Sequence, residues 1–127
     1  MLWRFSIHNE DCDKILAVLE YDWDLDKYVM HIQPDVVVEE DCPPGLICIF
    51  LEDNKYEVND KFCRLFIRDR VIPPYRQNIG QILREIGEEY YHECFMLKYF
   101  PKSTLDWAMV ELIEIEEDGV VSKIKGS

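Results

Sequence analysis

The residues in this chain with the chemistry for catalysis or metal binding fall into three groupings. His8 and Cys12 stand four apart, the spacing that places two zinc ligands on one face of a helix. The stretch Leu2–Ile7 leading into them reads as a strand, however, and no third or fourth ligand accompanies them. His92, Glu93 and Cys94 bring an imidazole close to a thiol, the pairing that activates a cysteine nucleophile. On a helix, residues two apart point away from each other, so the expected helix there separates the pair. Asp22, Asp24 and Asp26 open like a calcium loop. Such a loop needs a glycine at its sixth position and a glutamate at its twelfth, and here those are Lys27 and Gln33. A solvated hairpin tip is the simpler reading. His31 lies in a strand pattern and reads as a satisfied histidine. The chain holds no GxSxG, GxxxxGK[ST], HExxH or GxGxxG. No catalytic residue, metal or cofactor is therefore expected.

The charged residues give a more distinct pattern. Net charge is −12 over 127 residues, but it is unevenly spread. Residues 1–53 carry three bases (Arg4, Lys14, Lys27) against thirteen acids, and residues 85–127 carry four against ten. Residues 54–84 reverse the balance, with seven bases against three acids. Acidic surfaces keep a chain soluble, and the basic centre can fold back on acidic neighbours. The sharper alternative is a basic recognition patch on an otherwise repulsive body. Asn59–Gly87 holds most of those bases and reads as the part that the rest of the chain is arranged around.

One domain spanning 1–127 is expected from the length, with 48% hydrophobic and 13% aromatic residues to build its core. Residues 1–58 read as mainly β, 59–100 as helical, 105–115 as a strand and 116–127 as a frayed tail. No apolar run approaches the roughly 20 residues that span a bilayer. The start, MLWRFSIHNEDCD, is too acidic for a signal peptide, so a cytoplasmic location without membrane association is expected. Cys12, Cys42, Cys48, Cys63 and Cys94 are an odd count without a CxxC pair, which fits reduced thiols.

The patterning predicts an α+β fold: a small antiparallel β-sheet packed against about three helices. Runs 2–7, 15–21 and 27–32 predict an N-terminal meander, the acids at 22–26 suiting its second turn. Residues 13–21 are open to a helical reading as well. A connector with three prolines (33–45) leads to the apolar run 46–51, which reads as a buried strand, with 55–58 turning back onto it. Asn59 is placed to cap a helix over 60–70, with Asp60 in its first turn. Pro73 and Pro74 stop it. A second helix is expected over 75–86, with Ile79, Ile82, Leu83 and Ile86 on one face, Gly80 permitting close packing and Gly87 closing it. Residues 88–100 read as a third helix. Phe62, Phe66, Ile79, Ile82 and Leu83 are the expected inner wall between helices and sheet.

The pattern RDRVIPPYRQNIGQILREIG, followed by FMLKYF and STLDW, resembles a block that recurs in small uncharacterised proteins of Firmicutes. A related arrangement is similar to the N-terminal subdomain of HipA-like kinases from the same bacteria. Arg70, Pro73, Arg76, Asn78, Ile79, Ile82, Leu83, Gly87, Leu97, Asp106 and Trp107 carry the match, over about residues 60–110. The kinase catalytic domain lies outside this block, so the resemblance implies an accessory or regulatory module.

Three functional readings follow. The first is a non-enzymatic protein-interaction or regulatory module, from a toxin–antitoxin or phage-defence locus by the resemblance, with Arg64, Arg68, Arg70, Arg76 and Arg84 as its patch. At least one of Arg70 and Arg76 is expected to be tied internally, leaving Arg64, Arg68 and Arg84 freer for a protein partner. The second is nucleic-acid binding by a helix-turn-helix-like pair reading through Arg76, Gln77, Asn78, Gln81 and Arg84; the negative net charge opposes it. The third is an acidic mimic of DNA that blocks a nucleic-acid enzyme.

Overall fold

Alternation along the first strand decides how the sheet buries its side chains. In β1 (Leu2–Asn9), Trp3, Phe5 and Ile7 point to one face and are buried, while Arg4 and His8 lie on the other, half-buried. The computed structural model describes residues 1–9, 15–33, 57–68, 70–100 and 108–123. The described elements continue with β2 (Ile15–Asp22), β3 (Lys27–Ile32), β4 (Glu57–Val58), α1 (Asp60–Arg68), α2 (Ile79–Ile86), α3 (Glu93–Tyr99), β5 (Ala108–Glu117) and β6 (Val120–Lys123). The six strands form one antiparallel sheet in the order β4-β3-β2-β1-β5-β6. With three helices beside it, this is the α+β arrangement expected, including the N-terminal meander. The strand reading of 15–21 holds over the helical one. The run at 46–51, the connector at 34–45, Cys12, Cys42, Cys48, Asp106 and Trp107 lie outside the described residues.

β1 pairs with β2 on one side and β5 on the other, so the N-terminal strand ties together both ends of the chain. Phe5 sits opposite Leu19 and Leu112, and Ile7 opposite Ala17 and Val110. All six belong to the core, joined by Met30 from β3, Ile67 from α1 and Leu97 from α3. On the far face, Arg4 is held across three strands by Glu20 (Nε to Oε2, 2.8 Å), Glu114 (Nη1 to Oε2, 2.6 Å) and Glu116 (3.3 Å). Three of the chain's excess carboxylates are thus turned to holding the sheet together.

α1 forms as its sequence dictates. The Asn59 side chain accepts from the Phe62 amide at 3.1 Å, Asp60 and Arg68 complement the two ends of the dipole, and Cys63, Phe66 and Ile67 are buried. Its apolar face packs on β3. α2 is more peripheral than expected. It buries only Ile82, while Ile79 and Leu83 are half-buried. It also starts four residues late, because the chain after Pro74 makes successive turns (Arg76 N–H to Pro73 C=O, Ile79 N–H to Arg76 C=O) in place of helix. Its end is as expected: Gly87 has φ 79°, and the bonds Gly87 N–H to Arg84 C=O and Glu88 N–H to Leu83 C=O complete a Schellman motif. The Asn59–Gly87 unit is therefore a flank of the fold; the sheet around β1 is its centre.

Gly80 has no atom within 4 Å of where a Cβ would stand, so close packing does not account for it. Gly80→Ala should raise stability by about 0.5–1 kcal/mol in urea melts, through the lower entropy of the unfolded chain. Any loss of stability would show that α2 is packed against something at that face.

Residues 116–123 are not a frayed tail. β5 runs to Glu117 and turns through Asp118-Gly119 into β6, with Glu117 opposite Val120. Both turn residues have positive φ (52° and 79°), as a two-residue type I′ hairpin requires, and Asp-Gly is the dipeptide that favours it.

Candidate functional site

Five arginines were candidates for a contact surface, and the structure divides them. Arg64, on α1, is committed internally. Its Nε donates to Asp60 Oδ2 at 2.9 Å, and its Nη2 donates to the Asp26 carbonyl at 2.6 Å and to Asp26 Oδ1 at 3.4 Å. Its guanidinium lies 5.2 Å from the Tyr28 ring centre. Arg64 was expected to be freer for a partner; the fold uses it to join α1 to the β2–β3 hairpin. Asp60 also accepts from the Tyr28 amide at 2.8 Å. Burial pushes the Asp60 carboxyl up, but Arg64 and that amide outweigh it and hold it below its ordinary value. Asp26 is held low by the Tyr21 hydroxyl first and Arg64 second.

Arg70 is the internally tied member of the pair that brackets the proline turn, half-buried with its guanidinium 4.9 Å from the Phe66 ring centre. Arg76 is exposed, as are Arg68 at the end of α1 and Arg84 on α2. None of these three forms an ion pair among the described residues. Between Arg70 and Arg84 the sequence has no acidic residue at all. Tyr75, at the tip of the proline turn, is 87% exposed. Gln77, Asn78 and Gln81 are exposed too, Gln81 bonding to Glu85 at 3.3 Å. Arg68 and Ile79, the facing ends of α1 and α2, are separated by ten residues. A DNA-reading helix-turn-helix joins its helices by three or four, so this pair lacks that geometry.

A second grouping lies where the β2–β3 hairpin meets α3. The tip is an Asx turn: Asp22 Oδ1 accepts from the amides of Asp24 (2.9 Å) and Leu25 (3.2 Å), and Asp24 pairs with the N-terminal ammonium at 3.0 Å. Asp26 then turns back with φ 52° and accepts from the Tyr21 hydroxyl at 2.5 Å. The Tyr21 hydroxyl lies 3.1 Å from His92 Nε2. Asp26, Arg64, Tyr91, His92 and Glu93 line a cleft of about 250 Å³. Behind it the Tyr28 hydroxyl donates to Glu93 Oε2 at 2.9 Å and meets the Cys94 sulfur at 3.6 Å.

The hairpin tip was foreseen as a solvated turn, but this grouping was not. α3 begins at Glu93, five residues later than expected, because the chain leaves Gly87 in an irregular stretch that carries Tyr91 across to Ile72 (hydroxyl to carbonyl, 2.6 Å). His92 is the cap: its backbone is extended and its Nδ1 accepts from the Cys94 amide at 3.0 Å. The imidazole thus faces the amide of Cys94, while the thiol lies by Tyr28, pushed up to about 12 by burial. A thiol held protonated is no nucleophile. With both ring nitrogens engaged by the protein, His92 serves the structure. Histidine is not a usual cap residue, which is why the sequence carried no signal for this role.

Comparison with family models, with curated proteins and with solved structures found no match.

Proposed function

We propose that this chain is a non-enzymatic interaction module that holds an acidic surface of a partner protein against Arg68, Arg76 and Arg84, with Tyr75 as the aromatic anchor. The observation that carries this is the division among the arginines. Arg64 and Arg70 serve the fold, while the other three stand exposed, Arg76 and Arg84 within or bounding a stretch without acids, in a chain whose net charge is −12. Exposed tyrosine and arginine are the residue types that carry interface energy, and the two prolines limit the entropy that Tyr75 and Arg76 lose on binding. Guanidinium groups grip carboxylates bidentately, and the negative remainder of the chain restricts which orientations a partner can approach in. A regulatory role in the bacterial cytoplasm, within a toxin–antitoxin or phage-defence system, rests on the resemblance read in the sequence alone between about residues 60–110 and the N-terminal subdomain of HipA-like kinases.

Nucleic-acid binding through Arg76, Gln77, Asn78, Gln81 and Arg84 is the second reading. Those side chains are exposed, but the ten-residue separation of the helices and the net charge both count against it. The test is capture from a nuclease-treated host lysate by the parent and by the charge reversal Arg68→Glu, Arg76→Glu, Arg84→Glu. A protein bound by the parent and lost by the reversal supports the first reading. Binding that nuclease abolishes supports the second.

A further inference from the structure

The capping bond at His92 fixes the protonation state of its ring. A backbone amide only donates, so Nδ1, which accepts from the Cys94 amide at 3.0 Å, carries no proton. The single proton of the neutral ring is then on Nε2, directed at the Tyr21 oxygen 3.1 Å away. The Tyr21 hydroxyl in turn donates to Asp26 Oδ1 at 2.5 Å. The bonds from the Cys94 amide through His92 and Tyr21 to Asp26 therefore all point one way.

We propose that His92 is an acid-sensitive latch: a proton taken up at Nδ1 breaks the cap of α3 and loosens the first turn of that helix, which the Tyr28 hydroxyl still holds to the β2–β3 hairpin. The protonated ring would turn an N–H toward the Cys94 N–H and place a cation at the positive end of α3. The ring is half-buried, packed against Trp23 (centroids 4.3 Å apart), Tyr21 (5.0 Å) and Phe95 (5.9 Å) on the side away from the cleft it lines. Among the charged and titratable groups facing it, Arg64 from α1 repels the cation, whereas Asp26 from the hairpin and Glu93 from α3 attract it. Tyr21, Tyr91 and the Cys94 thiol are all held in their neutral forms. Burial is the largest influence and holds the His92 pKa below its ordinary value.

The sign follows from that direction. A histidine whose folded pKa is depressed stabilises the fold fully above its unfolded pKa of about 6.5 and stops doing so as pH falls through the lower folded value. Asp26 and Asp60, both held below the ordinary carboxylate value, keep their bonds to Arg64 through this window. Because Tyr91 bonds to Ile72, release of the neighbouring His92 also reaches the turn that carries Tyr75 and Arg76. Acid would then loosen the proposed contact surface, although the latch itself does not depend on any partner.

Amide hydrogen exchange across Cys94–Leu97 tests this, corrected for intrinsic rates between pH 7.5 and 5.0. In the wild type, protection should fall about tenfold per pH unit once pH drops below about 6.5, levelling at the folded pKa. In His92→Asn, whose side-chain oxygen accepts the same bond without titrating, protection should stay level, with His8 and His31 still present. Equal falls in the two proteins, or none in the wild type, would overturn the latch. Should the variant not fold, ¹⁵N resonances of the wild-type ring decide. A neutral ring protonated on Nε2 with a midpoint below 6.5 supports the latch; a proton on Nδ1, or a midpoint at or above 6.5, overturns it.

Discussion

Phe5→Ala is expected to be the most damaging single truncation in the sheet, lowering the unfolding free energy by about 3–5 kcal/mol. Phe5 is wholly buried, on the strand that pairs with both β2 and β5. Its ring stands opposite Leu19 on one side and Leu112 on the other, with Trp3 beside it at 6.3 Å between ring centres. Hydrogen-bonded strands on both sides limit how far the cavity could collapse, which puts the cost toward the upper end of the range. A loss below 1 kcal/mol in urea melts would mean that β1 is not the organising strand.

Arg64→Glu should be the most damaging change among the five arginines, costing about 2–3 kcal/mol. It removes three charge-assisted bonds and the contact over Tyr28, and brings a third carboxylate beside Asp26 and Asp60. The side chain is 38% exposed, so solvent screening keeps the loss below that of a fully buried ion pair. Arg64→Lys should fall between the two, since an ammonium keeps the charge but cannot span Asp60 and the Asp26 carbonyl with one rigid fork. If Arg64→Glu melts like the parent, the link between α1 and the hairpin is not holding the fold.

The contrast between Phe5 and Arg64 shows which parts of the fold could be read from sequence. Short apolar and aromatic runs and turn chemistry placed the three meander strands, and Asn59 and Gly87 marked the ends they do form, because each is a local signal. The flanking role of α2 was not legible: Ile79, Ile82, Leu83 and Ile86 have the spacing of a buried face, but spacing says nothing about how much sheet lies beneath it. Arg64 has a local partner in Asp60, four residues earlier, where Arg68 has only Arg64, but its bond to the hairpin at Asp26, 38 residues away in sequence, has no local pattern. His92 acts through Tyr21, 71 residues distant, for which no local pattern exists. The Asp118-Gly119 turn is a local signal of a hairpin that the reading of 116–127 as a frayed tail overlooked.

The most direct measurement of the central claim compares three proteins in one capture experiment from nuclease-treated host lysate, quantified by mass spectrometry. They are the parent, the reversal of Arg68, Arg76 and Arg84 to glutamate, and a control in which the exposed Lys27 and Lys123 are reversed instead. All three should stay folded and melt within several degrees of one another, because the altered side chains are exposed and add only helix-end charge (Arg68, Arg84) or cross-strand pairing (Lys27 opposite Asp22, Lys123 opposite Glu114). The parent and the lysine control should retain a common protein partner that the arginine reversal loses by at least about tenfold, the equivalent of 1.4 kcal/mol in binding. Equal capture of the same partner by all three proteins would show that Arg68, Arg76 and Arg84 are not its contact surface.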